Sequence, residues 1–387
     1  MTTRTDRRPV AGILAGLWCT LFSALLAGAA PAPPHARPHA RDRAVARGDG
    51  RVVEVAVRSA RLAANRAGVA PERRATVYLP AGYDAGGRRY PVIYYLHGVF
   101  DDHRTLYARD GAQAVFDRAV RERVVPGVIV VAADYSTPMG GSFYATSPVT
   151  GDWEGFLAEE LVAHVDAHYR TLPGPASRGL LGDRMGGYGA LRLGMRRPDV
   201  FGAVYALHPV GTGAGLVPMH ARPDWGRLAA ARSPDDLRGD PMTRVFAAIY
   251  QAFLPDTARA PLYFAPPARV VDGRLAVDRV RTERLLDGFL LDRQVGRYAG
   301  NLRSLRGLKL DWGRDDPLQD HVVANEGFTR ALAEYGVPYE AEAYRGGWGD
   351  RHWGADGRVY TDALPFFRAH LAFEPPRARH GGSEADE

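Results

Sequence analysis

Arg178-Gly179-Leu180-Leu181-Gly182-Asp183-Arg184-Met185-Gly186-Gly187-Tyr188-Gly189-Ala190-Leu191 decides the fold. A short apolar run ends at Gly182, a helix-forming stretch begins at Met185, and Pro198 stops it. A sharp strand-to-helix turn needs small residues around its apex, so that the strained backbone can form and the helix can lie close to the sheet. Such a turn ordinarily lifts a hydroxyl above the sheet, where a histidine deprotonates it and two backbone amides receive the oxyanion. Here the apex residue is Arg184. A guanidinium stays protonated in proteins, so at the nucleophile position it is not competent as nucleophile or base.

Apolar runs bounded by turn residues predict further strands on both sides of this turn. They fall at Val52-Arg58, Ala75-Leu79, Pro91-Leu96, Val128-Ala133, Ala203-Leu207, Leu308-Trp312 and Tyr339-Tyr344, with Gly179-Gly182 among them. Helical spacing separates several of them: Phe156, Leu157, Leu161, Val165 and Tyr169 share one face of Trp153-Tyr169, and Phe328-Tyr335 and Ala363-Leu371 read likewise. Strands alternating with helices predict an α/β domain with a mostly parallel central sheet and helices on both faces. Residues 209–306 break the alternation with helical pieces at Thr243-Phe253 and Thr282-Leu291, and read as a helical cap insertion over the carboxyl ends of the strands.

The ends of the chain read differently. Arg4, Arg7 and Arg8, an uncharged run from Val10 to Ala30 and the small residues Ala27-Gly28-Ala29 read as a secretory signal peptide over residues 1–29. The Sec route is expected; Arg7-Arg8 leaves a twin-arginine route open, and an uncleaved membrane anchor is the alternative. Residues 30–51, rich in Pro, Ala, His and Arg, read as a disordered linker, the domain proper as 52–373, and 374–387 as a disordered tail. The expected location is therefore extracellular, with no stable membrane insertion after cleavage. Cys19, the only cysteine of the 387 residues, lies in the leader, so a mature chain has no thiol for catalysis or metal binding. Of the formal +6 charge, two units come from the leader, and the scattered arginines form no stripe, which argues against a nucleic-acid partner. No cofactor and no metal are expected.

Two further pieces follow in the order apex, acid, histidine. Asp316 in Gly313-Arg314-Asp315-Asp316-Pro317 is the expected acid, with Asp315 as the alternative, and His352 in Gly346-Gly347-Trp348-Gly349-Asp350-Arg351-His352-Trp353 is the expected base. Leu96-His97-Gly98-Val99 ends a strand, so the Val99 N–H and the Met185 N–H are the expected oxyanion-hole donors.

Tyr90-Pro91-Val92-Ile93-Tyr94-Tyr95-Leu96-His97-Gly98, Gly141-Ser142-Phe143-Tyr144, Gly151-Asp152-Trp153-Glu154, Tyr169-Arg170-Thr171 and Met185-Gly186-Gly187-Tyr188-Gly189 together resemble the secreted putative-esterase family. That family includes the antigen 85 mycolyltransferases and the S-formylglutathione hydrolases. The resemblance runs from about Val52 to Phe373, and implies an α/β-hydrolase fold with an ancestry in ester hydrolysis or acyl transfer. It also implies that Val99 and Met185 are the oxyanion donors, Asp316 the acid and His352 the base. The chain departs from the family at Arg184, where a serine stands; at His208-Pro209, where Ser-Pro is expected; and in a histidine loop longer than a compact Gly-x-His.

The sequence supports a small-molecule ester or an anion as ligand, with Arg184, His208, Ser142 and Trp153 lining its pocket; it does not give the oligomeric state. In one reading Arg184 pairs with Asp316 and fills the pocket; in the other it joins the helix N-terminus and the amides to hold an anion. Asp183, and Asp101 or Asp102, are expected at the rim. The expected protein is thus an esterase-family pseudoenzyme, and the alternative is an active hydrolase or acyltransferase recruiting Asp183, Ser142 or Tyr188 as nucleophile.

Overall fold

The computed structural model describes residues 49–349 and 352–374. The leader, and the linker as far as residue 48, lie outside the described residues, as does the tail beyond Glu374.

Eight strands form one sheet: β1 (Arg51–Arg58), β2 (Glu72–Leu79), β3 (Val92–Leu96), β4 (Ile129–Ala133), β5 (Arg178–Asp183), β6 (Ala203–Leu207), β7 (Gly307–Gly313) and β8 (Glu340–Tyr344). Their spatial order is β1-β2-β4-β3-β5-β6-β7-β8. The β1–β2 and β2–β4 pairs are antiparallel, and every pair from β4 to β8 is parallel. All eight coincide with expected strands to within a few residues. The central ones are buried at every position, as strands covered on both faces must be.

Alternate residues feed two cores. Val92, Tyr94 and Leu96 of β3 pack into one core with the helical stretch α2, which runs through Trp153–Gly155, a π-turn Phe156–Leu161 and Val162–His168. Ile93 and Tyr95 pack on the other face, under α1 (Ala112–Arg121). The first core also takes up α3 (Met185–Arg196), which leaves the elbow.

The segment joining β6 to β7 carries α4 (Pro241–Phe253), α5 (Arg279–Phe289) and α6 (Val295–Ser304), with α6 packed along α3. It also holds a hairpin absent from the sequence-based reading, Ala268–Val271 paired with Arg274–Val277. Its turn is Asp272-Gly273, both at positive φ (49° and 72°), the conformation a two-residue hairpin turn requires; that dipeptide was the legible signal. Two helices complete the fold, α7 (Gln319–Glu334) and α8 (Leu364–His370).

The boundaries at both ends are corrected. Gly50 donates to Asp117, β1 begins at Arg51 rather than Val52, and the Glu374 carboxylate accepts from the Arg89 amide, so these residues belong to the domain. No described helix is long and apolar enough to cross a membrane.

Candidate functional site

Arg184 holds φ 55° and ψ −107°, a strained conformation for a residue with a side chain, costing on the order of 1–3 kcal/mol. Phe100, Phe143, Tyr144 and His208, in the segments after β3, β4 and β6, also have positive φ. Backbone strain of this kind collects at functional sites. The elbow is tied on both sides: the Arg184 amide donates to Leu207 O (3.0 Å) and its carbonyl accepts from Tyr188 (2.9 Å). Its glycines are sterically required, since a Cβ on Gly182 would lie 2.0 Å from Gly186 O and one on Gly186 1.8 Å from Leu96 O. The same contact brings the N-terminus of α3, with Met185, against the end of β3, from which Val99 follows. The Met185 and Val99 side chains converge on the surface of Gly141.

The side chains around the elbow are arranged differently from the expected relay. Arg184 does not pair with Asp316. Its Nη1 donates to Asp183 Oδ2 (2.9 Å), its guanidinium carbon lies 5.6 Å from the Trp348 ring centroid, and Nη2 lies over Gly349, where a Cβ would be 2.1 Å away. The reason is proximity within the turn: Asp183, next to the apex, turns its carboxylate beneath the elbow, 4% exposed, instead of away from the site. Asp101 and Asp102 are not partners either, as Asp101 pairs with Arg109 and Asp102 accepts from the Arg104 and Thr105 amides.

Nor is His352 paired with Asp316. It is buried with Nδ1 3.4 Å from Asp183 Oδ1 and Nε2 3.3 Å from the Tyr344 hydroxyl. Trp348 packs instead against two other histidines. Its indole stacks on His208 (centroids 5.8 Å, 7°) and meets His321 edge-on (4.4 Å, 86°), while its ring also faces Arg184. The arginine at the apex and the tryptophan after Gly346-Gly347 thus face each other, with His208 on the same indole.

Asp316 is fully buried and serves two other histidines. His208 Nε2 and His321 Nδ1 each lie 2.9 Å from Asp316 Oδ2, and Oδ1 accepts from the Leu318 amide (2.7 Å). His208 is therefore not bonded to a loop carbonyl as a strand-end histidine might be. Its Nδ1 accepts from the Gly313 amide (3.1 Å), which assigns the proton of the neutral ring to Nε2. His321 was missed by sequence reasoning; its signal was position, in the first turn of α7 just after the acid. The ligand atoms of His208, Asp316 and His321 lie within 4.8 Å of one another, a spacing that could collect a metal ion. The proton that Gly313 fixes on His208 Nε2 makes that nitrogen a donor rather than a metal ligand, so the cluster fits a hydrogen-bonded network better.

Two residues expected in the pocket belong to the interior. Trp153 is fully buried against Tyr135 and Phe156, with the Arg73 guanidinium 5.3 Å from its ring. Ser142 is fully buried, its Oγ accepting from the Tyr144 amide (3.3 Å). Tyr188 is enclosed by Phe143, Phe253 and Phe289, and burial pushes its phenol up to about 12. None of these hydroxyls is placed as a substitute nucleophile, and both Asp183 oxygens already face Arg184 or His352.

Burial opposes ionisation of Asp316 and Asp183, yet both are held well below the usual carboxylate range, Asp316 by bonds from His208 and His321 and Asp183 by Arg184 and His352. Burial shifts His208 down despite Asp316. For the depressed carboxylates, the stabilisation is present above about pH 4 and is lost as pH falls through their folded values. For His208 the unfolded chain takes the proton first, so stability falls as pH drops below about 6.5. We expect the melting-temperature gap between wild type and His208→Gln to shrink from pH 7 to pH 5 in thermal melts; parallel curves would contradict this.

Comparison with known proteins places this geometry. Residues 68–249 match the family model described as putative esterase. An endo-1,4-β-xylanase/feruloyl esterase of Xylanibacter ruminicola is 29% identical over 133 residues, 33% of this chain and 18% of that protein. The chain thus spans less than a fifth of that relative's length. Among solved structures, a ferulic acid esterase superposes with TM-score 0.57 at 21% identity, covering 84% of this chain and 99% of the other. An S-formylglutathione hydrolase from Agrobacterium tumefaciens gives 0.54 at 18% identity, covering 85% and 98%.

Proposed function

This chain is an esterase-family protein on the α/β-hydrolase fold, and from that premise we propose that it binds an ester or carboxylate ligand at the elbow without serine-type turnover. One observation carries the reading: the apex holds a guanidinium, 30% exposed and anchored by Asp183, where covalent acyl transfer needs a hydroxyl. The ligand carbonyl would meet the Val99 and Met185 amides, and Arg184 would bind its oxygen through the nitrogens that Asp183 leaves open. Because Asp183 neutralises the cation, a neutral ester or a single carboxylate suits the site better than a multiply charged anion. The segment between β6 and β7 would act as the cap that sets specificity, and ferulate, the acid named for one structural neighbour, is a sensible first probe. The reading includes export, with residues 1–29 as the leader.

The test combines chemistry with binding. A fluorophosphonate probe is expected to leave the protein unlabelled, and 4-nitrophenyl acetate to be hydrolysed no faster than with Arg184→Ala. Ferulate or acetate is expected to raise the melting temperature of the wild type and not that of Arg184→Ala. Rapid labelling or turnover would overturn the reading in favour of an active esterase with an unusual nucleophile, and an equal thermal response of both proteins would remove Arg184 from the site.

A further inference from the structure

The hairpin Ala268–Val271/Arg274–Val277 projects from the domain with every residue exposed except Ala268. Its register pairs Val270 with Leu275 and Ala268 with Val277, so those four side chains share one face of the ribbon, while Arg269, Val271, Arg274 and Ala276 share the other. The first face is wholly aliphatic, with Val270 52%, Leu275 40% and Val277 38% exposed, and Val280, at the start of α5, extends it at 81%. Arg269 and Arg274 on the opposite face, and Arg279 and Arg284 in α5, are also exposed. None of the four has an ion pair or side-chain hydrogen bond among the described residues, whereas neighbouring Arg281 pairs with Asp278 and Arg293 with Glu283 and Asp287.

We propose that this hairpin is an interfacial anchor that seats the protein on an anionic lipid surface, with its aliphatic face in the acyl boundary and the unpaired arginines at the phosphates. An exposed aliphatic strip with unneutralised cations on the same hairpin and the helix after it matches that environment on both counts: apolar surface leaves water, and each arginine near an anionic surface adds about a fivefold gain in binding. The ribbon is rooted in the core at Ala268, so Val270, Leu275 and Val277 are presented from a fixed base. A second copy of the chain, by contrast, would bring four unpaired cations towards four others. The helix that follows the hairpin, α5, ends at Phe289, which stacks on Tyr188 of α3 (centroids 5.1 Å, 28°). The proposal does not depend on the ligand or turnover assigned to the elbow.

The experiment is sedimentation of the full chain with vesicles of phosphatidylcholine alone or with 30 mol% phosphatidylglycerol, a composition of roughly the charge density such anchors read. The wild type is expected to partition into the phosphatidylglycerol vesicles at least about tenfold more than into the neutral ones, and less as salt is raised. Leu275→Asp with Val277→Asp, and separately Arg269→Glu with Arg274→Glu, are each expected to lower that binding at least about tenfold while leaving the melting temperature unchanged, because all four positions are exposed. Equal binding by wild type and both variants would overturn the proposal, as it would show another part of the chain to be the anchor. So would an absence of vesicle binding, or self-association by sedimentation velocity that both variants abolish.

Discussion

Arg184→Ser alone is expected to leave ester hydrolysis at the wild-type level, whereas Arg184→Ser combined with Trp348→His is expected to raise it at least about tenfold. In a serine hydrolase the members of the relay act as a unit, and losing one costs about as much as losing them all. Restoring a hydroxyl at the apex therefore does little while the base is missing. On the proposed reading no base serves the apex: His352 contacts Asp183 and the Tyr344 hydroxyl rather than Asp316, and Trp348 faces both the Arg184 guanidinium and the His208 ring. A histidine at 348 would stand beside His208 and His321, the two rings that Asp316 holds, and so beside the same hydrogen-bonded network. Initial rates on 4-nitrophenyl acetate, with fluorophosphonate labelling of both variants, decide the matter. Strong activity in the single variant would mean that His352 swings round and serves as base, and would return the chain to a one-substitution defect.

Gly186→Ala is expected to destabilise the domain by about 3 kcal/mol or more, at or above the upper end for overpacked interiors. The added Cβ would come 1.8 Å from Leu96 O and 2.4 Å from Leu96 C. These are backbone atoms at the end of β3, which is bonded to β4 and β5, so they cannot give way without disturbing the sheet. Denaturant unfolding followed by far-ultraviolet circular dichroism measures the loss. As a contrast, Gly327→Ala in α7 meets nothing nearer than the tip of Arg330 at 3.8 Å and is expected to be neutral or slightly stabilising. Equal stability of Gly186→Ala and wild type would mean that the strand end and helix do not approach as closely as described.

The fold was legible because its signals are local. Tyr94, Val130 and Leu180 lie in apolar runs long enough for strands and too short for helices, and the elbow glycines mark a turn that a parallel sheet with helical crossovers uses. The insertion's hairpin was missed although Asp272-Gly273 announced it, because its strands do not alternate with helices as the rest do. Within the site, the sequence marked the apex Arg184 and the buried Asp316, since each follows from a residue's identity at a marked position.

Partnership among those residues was not legible. Whether Asp316 faces His352, His208 or His321 depends on how three loops from β6, β7 and β8 fill one crevice, and spacing along the chain says nothing about that. Trp153 looked like a pocket residue until packing put it in the core. By itself, then, the sequence determined that an elbow exists and that its apex carries a guanidinium, because strained turns and side-chain chemistry are local. Tertiary structure alone decided that Asp183 pairs with that arginine and that Trp348 packs against Arg184, His208 and His321, because buried charges and rings find partners by proximity in space.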